Sequence, residues 1–389
     1  MRSTALRFSL FTTTAFAALG VYMPYWPKWL DDRGMSAPEI GMLMSTILWS
    51  RALSGPLIAH FADASGRRRP WILATAIASA ASFACFAWTH TFSALFAVSI
   101  AFGIAQACSI PLVENLMLLL EGEGRLSYGK LRAWGSFAFL VGAIGAGRWI
   151  DHDGASLVQP LTLALFGAGV FAAFALPEAS ERARSSEPHS PLRALLARRP
   201  LMCALIGCGI EQGSHATYTA FSTLHWQQAG HSMTTIGALW AEGVLAEIVL
   251  FTFAKRVMQR FDPRTLLALG VAGSTLRWLA LGLSTDIAVL IGTQWMHALS
   301  FAAVHLALMS YVSRGVPHEM SATAQSLYST FTQASTALVV IAAGFVFEQA
   351  PGSAFTLMSA VSLTGGLLAW LGMARRAPAP AGLEISPRH

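Results

Sequence analysis

The sequence predicts an all-α integral membrane protein with twelve transmembrane helices in two six-helix bundles, and three observations carry that prediction. Charged residues are 12% of 389 positions and apolar residues 54%, whereas a soluble domain carries roughly 25% charge. Apolar stretches of about 20 residues recur from end to end, long enough to cross a hydrocarbon core of roughly 30 Å as helices. The basic residues fall between those stretches and collect on alternate connections, the pattern expected of topology signals.

Twelve spans of about 20 to 22 residues use roughly 250 positions and leave no room for a sizeable soluble domain. The net charge of +6 does not point to nucleic acid, because the basic residues form no aromatic-interleaved patch. Cys85, Cys108, Cys203 and Cys208 all sit within apolar runs, where reduced cysteine behaves as a small hydrophobe. Their spacing suits neither disulfides nor zinc, and no metal or cofactor is expected.

The first span covers residues 6–30. Arg2 and Arg7 precede its apolar run, and Ala15-Phe16-Ala17 within that run imitates a signal-peptide cleavage site. The apolar stretch continues past that site to Leu30, so the segment reads as an uncleaved helix. Five further spans follow at 39–62, 71–89, 91–118, 134–150 and 155–177, completing an N-terminal bundle over residues 1–177. Residues 178–199, rich in Ser, Pro, Arg and Glu, suit a flexible cytoplasmic linker. The remaining spans read as 200–226, 235–254, 264–284, 287–312, 320–347 and 354–374, within a C-terminal bundle over 200–376. Residues 377–389, with Ala-Pro repetition, read as a disordered cytoplasmic tail.

In this arrangement only Lys28, Arg33 and Arg148 fall on the face opposite the termini, with Arg51 and Arg277 inside spans. Every other Lys and Arg shares the side of the termini. The positive-inside rule then puts both termini in the cytoplasm of a multi-pass protein of the cell inner membrane.

Two motifs connect this layout to a known family. Asp63-Ala64-Ser65-Gly66-Arg67-Arg68-Arg69 resembles the D-x-x-G-R-R signature of the major facilitator superfamily, with Ala59 where an upstream glycine is usual. The resemblance implies a cytoplasmic gate built on Asp63, Gly66, Arg67 and Arg68. Tyr128-Gly129-Lys130-Leu131-Arg132-Ala133-Trp134-Gly135-Ser136 is similar to the Y-G-K-x-R-x-W-G-S sequence of the 3-phenylpropionate permease-like branch, a relative of the lactose and nucleoside proton symporters. The stretch from Tyr22 to Leu30, Ala246-Glu247, Arg277-Trp278 and the His297 to His305 segment are similar to that branch as well. Six helices, a linker and six more is also the layout of transporters whose halves rock about a central site.

Ionisable residues inside spans carry the mechanistic expectation. A charge at the bilayer centre costs roughly 2.5 to 3.5 kcal/mol on insertion scales, so such groups usually face a cavity or one another. Glu211 and His215, four residues apart, are expected to share one helix face. Glu247 is central on the eighth span, with Glu242 pointing about 140° away. Arg277 is central on the ninth. His297 and His305 project within about 80° of each other, roughly 12 Å apart along the tenth.

A carboxylate near an arginine and a histidine can exchange partners when it takes up a proton. Glu247 is therefore read as proton carrier, Arg277 as its switching partner or a substrate anchor, and His305 as relay, the three positions that the resemblance also implies. Glu211 joins this proton-coupling set, while His215 and His297 are candidate substrate contacts. In the first half Arg51 and Glu114 could form an ion pair, or Arg51 alone could bind a substrate carboxylate. Tyr22, Tyr25, Trp26 and Trp29 read as an aromatic belt, of which Tyr22 and Trp26 could also stack on an aromatic substrate.

The expected function is secondary active transport, with a proton-coupled monomeric symporter importing a small organic solute such as 3-phenylpropionate or a related aromatic acid. The alternatives are a sugar or nucleoside symporter using Gln212, Gln294, Gln325 and Gln333, and an exporter of lipophilic compounds. The partners expected are the solute, protons and membrane lipid. An enzyme is disfavoured, since neither an H-E-x-x-H nor a G-x-S-x-G pattern is present.

Overall fold

A computed structural model describes residues 2–124, 126–177 and 191–374. Arg125, most of the expected linker and the C-terminal tail lie outside the described residues. Within them the chain is helical, with short turns and no strand.

The first half contains α1 (Arg2–Asp31), α2 (Ala37–Ser65), α3 (Arg68–Cys85), α4 (Phe92–Gln106), α5 (Ser109–Gly122), α6 (Tyr128–Asp153) and α7 (Val158–Ala175). The second contains α8 (Pro191–Leu196), α9 (Arg199–Gly213), α10 (Ala216–Gln228), α11 (Met233–Thr252), α12 (Ala254–Arg260) and α13 (Pro263–Leu283). It continues through α14 (Ile287–Trp295), α15 (Val304–Gly315), α16 (His318–Gln349) and α17 (Pro351–Ala374). Taking α4 with α5, α9 with α10, and α14 with α15 as single broken spans gives the twelve expected passes, six in each half.

Nine helical segments among the described residues are long and apolar enough to cross a membrane on their own. The second, fifth and seventh spans are not among them. They carry Arg51, His60 and Asp63, then Lys130, Arg132 and Arg148, then Glu211, Gln212 and His215. These spans turn much of their surface toward protein: α2 packs along α16, and α6 along α11, across the boundary between the halves.

Two expected boundaries shift. The fifth span begins at Tyr128 rather than 134, so the Tyr128 to Ser136 motif is the first turns of a helix instead of a lead-in. The end of the linker is also ordered: α8 carries Leu195, fully buried in the second half's core, and Arg198 donates to the Gly315 carbonyl at 3.4 Å.

The packing separates the two faces of the molecule. On the face opposite the termini, one apolar core runs through both halves, joining Tyr25, Trp26, Ile40 and Ala143 to Phe221, Trp226, Met233 and Val340. Toward the termini each half has its own core. Phe8, Leu112 and Leu116 belong to one, Leu205, Leu267 and Leu308 to the other.

Backbones touch closely along the shared seam. A Cβ on Gly41 would lie 2.6 Å from the Val340 carbonyl oxygen, and one on Gly344 2.6 Å from that of Ala37. The single Tyr25 hydroxyl proton is shared between the carbonyl of Ala143 in its own half (2.8 Å) and that of Met233 across the seam (3.0 Å), and Thr223 donates across it to that of Pro24 (2.5 Å). The face opposite the termini is sealed, and the halves part toward the termini.

Candidate functional site

Where the halves part, they enclose a cavity of about 260 Å³. The first half lines it with Phe16, Leu19 and Met23 of α1 and Arg132, Ser136 and Phe139 of α6. The second lines it with His215, Tyr218, Thr219, Trp240, Gly243, Val244, Glu247, His297 and Phe301. Aromatic walls with a few polar groups that converge are the usual chemistry of a small-molecule site.

Local irregularities in the helices aim these groups. The seventh span breaks between α9 and α10 at Ser214–His215, which turns His215 toward the tenth span. The tenth span is wound as a π-helix over Ala298–Ala303, immediately after His297 and across Ser300 and Phe301. Such π segments recur at functional sites because the extra residue re-aims side chains.

A chain of polar contacts leads from the cavity into the second half. Arg277 is fully buried. Its Nη1 donates to His297 Nδ1 at 2.9 Å and to Ser300 Oγ at 3.1 Å, and its Nη2 donates to Gln294 Oε1 at 3.3 Å. The guanidinium carbon lies 4.7 Å from the ring centres of both Tyr218 and Trp278, a cation–π arrangement. Tyr218 also donates to Gln294 Oε1 at 3.0 Å.

A guanidinium has no acceptor, so this geometry makes His297 Nδ1 the acceptor and leaves the ring proton on Nε2. That nitrogen lies 3.7 Å from Glu247 Oε2. His297 therefore stands between Arg277 and Glu247, so Arg277, expected as switching partner of Glu247 or as substrate anchor, does not touch that carboxylate directly. Among the described residues no carboxylate lies within ion-pair distance of Arg277, and its Nε has no hydrogen-bond partner.

The remaining expected residues divide between this network and other places. His215 joins the network through Nε2, 3.2 Å from Ser300 Oγ, while its Nδ1 faces the Gln212 carbonyl at 3.1 Å. Glu211 does not share its surroundings, because the break at Ser214 separates them. Glu211 is fully buried behind the cavity against Ser274 and Ser362, with Oε2 unpaired. His305 packs against the rings of Phe251 and Tyr328 and interacts electrostatically with Glu247, outside the cavity lining.

In the first half, Glu114 pairs with Arg132 at 3.5 Å instead of with Arg51. Arg51 keeps a buried, unpartnered Nε and lies in electrostatic contact with Tyr22. The aromatic belt is corrected as well. Trp26 is 1% exposed, stacked on Trp29 at 4.4 Å and edge-on to Phe86 at 4.8 Å, inside the core that runs through both halves. Tyr22 packs on Trp26, Phe83 and Phe102. Neither lines the cavity.

The D-x-x-G-R-R segment is a two-residue turn rather than a loop. Asp63 remains within α2, Gly66 closes that helix at φ 63°, and Arg68 opens α3 at 3.7 Å from Asp63. Arg69 donates to the Phe174 carbonyl at 2.5 Å. Together these contacts brace α2, α3 and α7 within one half.

Sequence reasoning gave Arg132 and Tyr218 no role. Arg132 lies in the Tyr128 to Ser136 motif, and Tyr218 is three residues beyond His215. Both signals were available, but neither indicates which way a side chain turns once a helix breaks.

The MFS_1 like family model matches residues 5–357. The chain belongs to that family. Its members are transporters, and this one is a multi-pass membrane protein and a secondary transporter, not an enzyme. The chain is 30% identical over 360 residues to the probable 3-phenylpropionic acid transporter of Escherichia coli, covering 90% of this chain and 93% of that protein. It is 24% identical over 372 residues to the maltose permease of Geobacillus stearothermophilus, covering 95% and 94%. Among solved structures, the nucleoside transporter NupG superposes with a TM-score of 0.83 at 14% identity, over 95% of this chain and 98% of that one. At that identity the likeness speaks for the fold.

Proposed function

We propose that the protein is a proton-coupled symporter importing a small aromatic carboxylic acid, 3-phenylpropionate or a close analogue. The observation that carries this reading is Arg277, a fully buried cation with neutral hydrogen-bond partners and, among the described residues, no carboxylate within ion-pair distance, linked through His297 to Glu247 at the cavity wall. A buried charge needs an opposite one. A carboxylate substrate supplies it from the cavity, with the aromatic ring against Phe16, Phe139, Trp240 and Phe301. When Glu247 is ionised it competes for the Nε2 proton of His297. When it is protonated, it releases that histidine toward the substrate. Arg51 and Arg132 are further anion contacts in the first half, and His305 the relay toward the cytoplasm. The gate of Asp63, Gly66, Arg67 and Arg68 closes the cytoplasmic side once the solute has been released there.

In this reading the protein is a monomer in the cell inner membrane, with both termini cytoplasmic and bundles of residues 1–177 and 200–376. A sugar symporter is the second reading, favoured by the Glu114–Arg132 pair beside the cavity and by the likeness to a maltose permease. Proteoliposomes with an imposed pH gradient distinguish them. Radiolabelled 3-phenylpropionate should accumulate above its outside concentration and lose that accumulation with a protonophore, while maltose and uridine should not. In Glu247→Gln, counterflow exchange should persist while uphill uptake disappears. Unchanged uphill uptake in that variant would remove Glu247 as proton carrier.

A further inference from the structure

The seam opposite the termini is held at its rim by two carboxylates that reach from one half into the other. Asp151, at the end of α6, accepts from the backbone N–H of Met233 (2.6 Å) and Thr234 (2.8 Å), and from the Thr234 hydroxyl (2.6 Å), at the start of α11. Glu348, at the end of α16, accepts from the backbone N–H of Ala37 at 2.9 Å, at the start of α2. Exchanging the halves carries the fifth span onto the eleventh and the eighth onto the second. Each contact is thus the counterpart of the other, although the residues, the number of bonds and the loop sequences differ.

We propose that Asp151 and Glu348 are paired gating residues that hold the outer face closed by capping helices of the opposite half. The first turn of a helix leaves backbone N–H groups without intrahelical acceptors, and its aligned dipoles favour a negative charge there. At α11, Ser232 serves Thr235 at 3.1 Å, and Asp151 serves the two donors that remain before it. At α2, Ser36 is satisfied by Glu39 and Pro38 has no N–H, so Ala37 is the donor left for Glu348.

A cap within one chain segment, such as Ser232, survives any movement of the halves. These two do not, because parting the seam separates each carboxylate from its helix and leaves those N–H groups to water. Their contribution therefore biases the equilibrium between the two open states, whatever solute is carried and whether or not a proton accompanies it.

The test uses the full chain with its four native cysteines replaced by alanine, without substrate, in vesicles of known orientation. One reporter is Val340→Cys, buried in the seam beside Gly41. The other is Ser136→Cys, in the cavity on the side of the termini. Each is probed with a membrane-impermeant maleimide from its own face. Asp151→Ala or Glu348→Ala should raise labelling of the first reporter about fivefold, the effect of losing a typical helix cap, and the pair about 25-fold if the sites act independently. Labelling of the second should fall only by the fraction of the population that the first state gains, a small decrease while the outward-open state is the minor one.

The milder changes Asp151→Asn and Glu348→Gln, which keep an acceptor, should give intermediate shifts and cover the case in which an alanine variant does not fold. No change at either reporter would overturn the proposal. So would a rise at both, which signals loosened helices rather than a shifted gate.

Discussion

Replacing Trp26 by alanine separates a core role from a substrate role, because the two predict opposite readouts. Trp26 is 1% exposed, and its ring has four aromatic neighbours: Trp29 at 4.4 Å, Phe86 at 4.8 Å, Phe83 at 5.1 Å and Tyr22 at 5.3 Å. In a membrane the unfolded helix still sits in apolar surroundings, so burial itself contributes little and packing supplies the stability. If the neighbours leave about 100 Å³ unfilled, the cavity term is about 2.4 kcal/mol. Four ring contacts at about 0.5 kcal/mol each, the low end for aromatic pairs, add about 2 kcal/mol. The sum is about 4 kcal/mol, a heavy loss for a membrane bundle. Thermal unfolding in detergent should drop by several degrees, with Trp26→Phe intermediate, while KM of the folded fraction changes less than twofold. A normal melting curve with KM raised tenfold would refute the core assignment and restore Trp26 as a substrate contact.

Other outcomes follow from single contacts. Asp262 caps α13 through the N–H groups of Arg264 and Thr265 and the Thr265 hydroxyl, and those bonds, chiefly the Thr265 hydroxyl, hold its carboxyl below the usual range. Asp262→Ala should cost about 1 kcal/mol at neutral pH. That cost should vanish in acid, since a depressed carboxyl stabilises above its unfolded pKa and loses its contribution as pH falls through the folded one. Melting curves of both forms across pH 3 to 7 check the sign. Arg277→Lys keeps the charge but cannot span Gln294, His297 and Ser300 together, so transport should fall at least tenfold, and a rate within twofold of the parent would argue against a bridging role. A double-mutant cycle on Glu114 and Arg132, both partly exposed at 3.5 Å, should find less than about 1 kcal/mol of coupling in melting experiments without substrate.

Nine of the spans were legible because they repeat the same physical requirement, roughly 20 apolar residues between polar turns. The other three were legible because the six-and-six layout and the segregation of basic connections left places for them. Glu247, His215 and His297 were legible as cavity groups because a mid-membrane charge has few other places to go. What failed was angular position. Counting residues gives depth but not azimuth, so an Arg51–Glu114 pair stood level with a lone Arg51, when Arg132, one helix over, was the cation that meets Glu114. Glu211 and His215 looked like neighbours because the i, i+4 rule assumes an unbroken helix, and the break at Ser214 voids it. Trp26 and Trp29 looked like a belt because the same amphipathic aromatics suit either a lipid interface or a packed interior.

The π-wound turn after His297 has a mechanical consequence. It leaves the tenth span with a surplus residue that an α-helix of the same length would not hold. At about 100° of rotation per residue, passing that surplus along the span would turn everything on one side of it by slightly more than a quarter circle and leave the other side still. His297 and His305 stand on opposite sides of the bulge. A span built this way can swing one imidazole toward the cavity while the other keeps its place, with no bend in the axis and no change in the length that crosses the membrane.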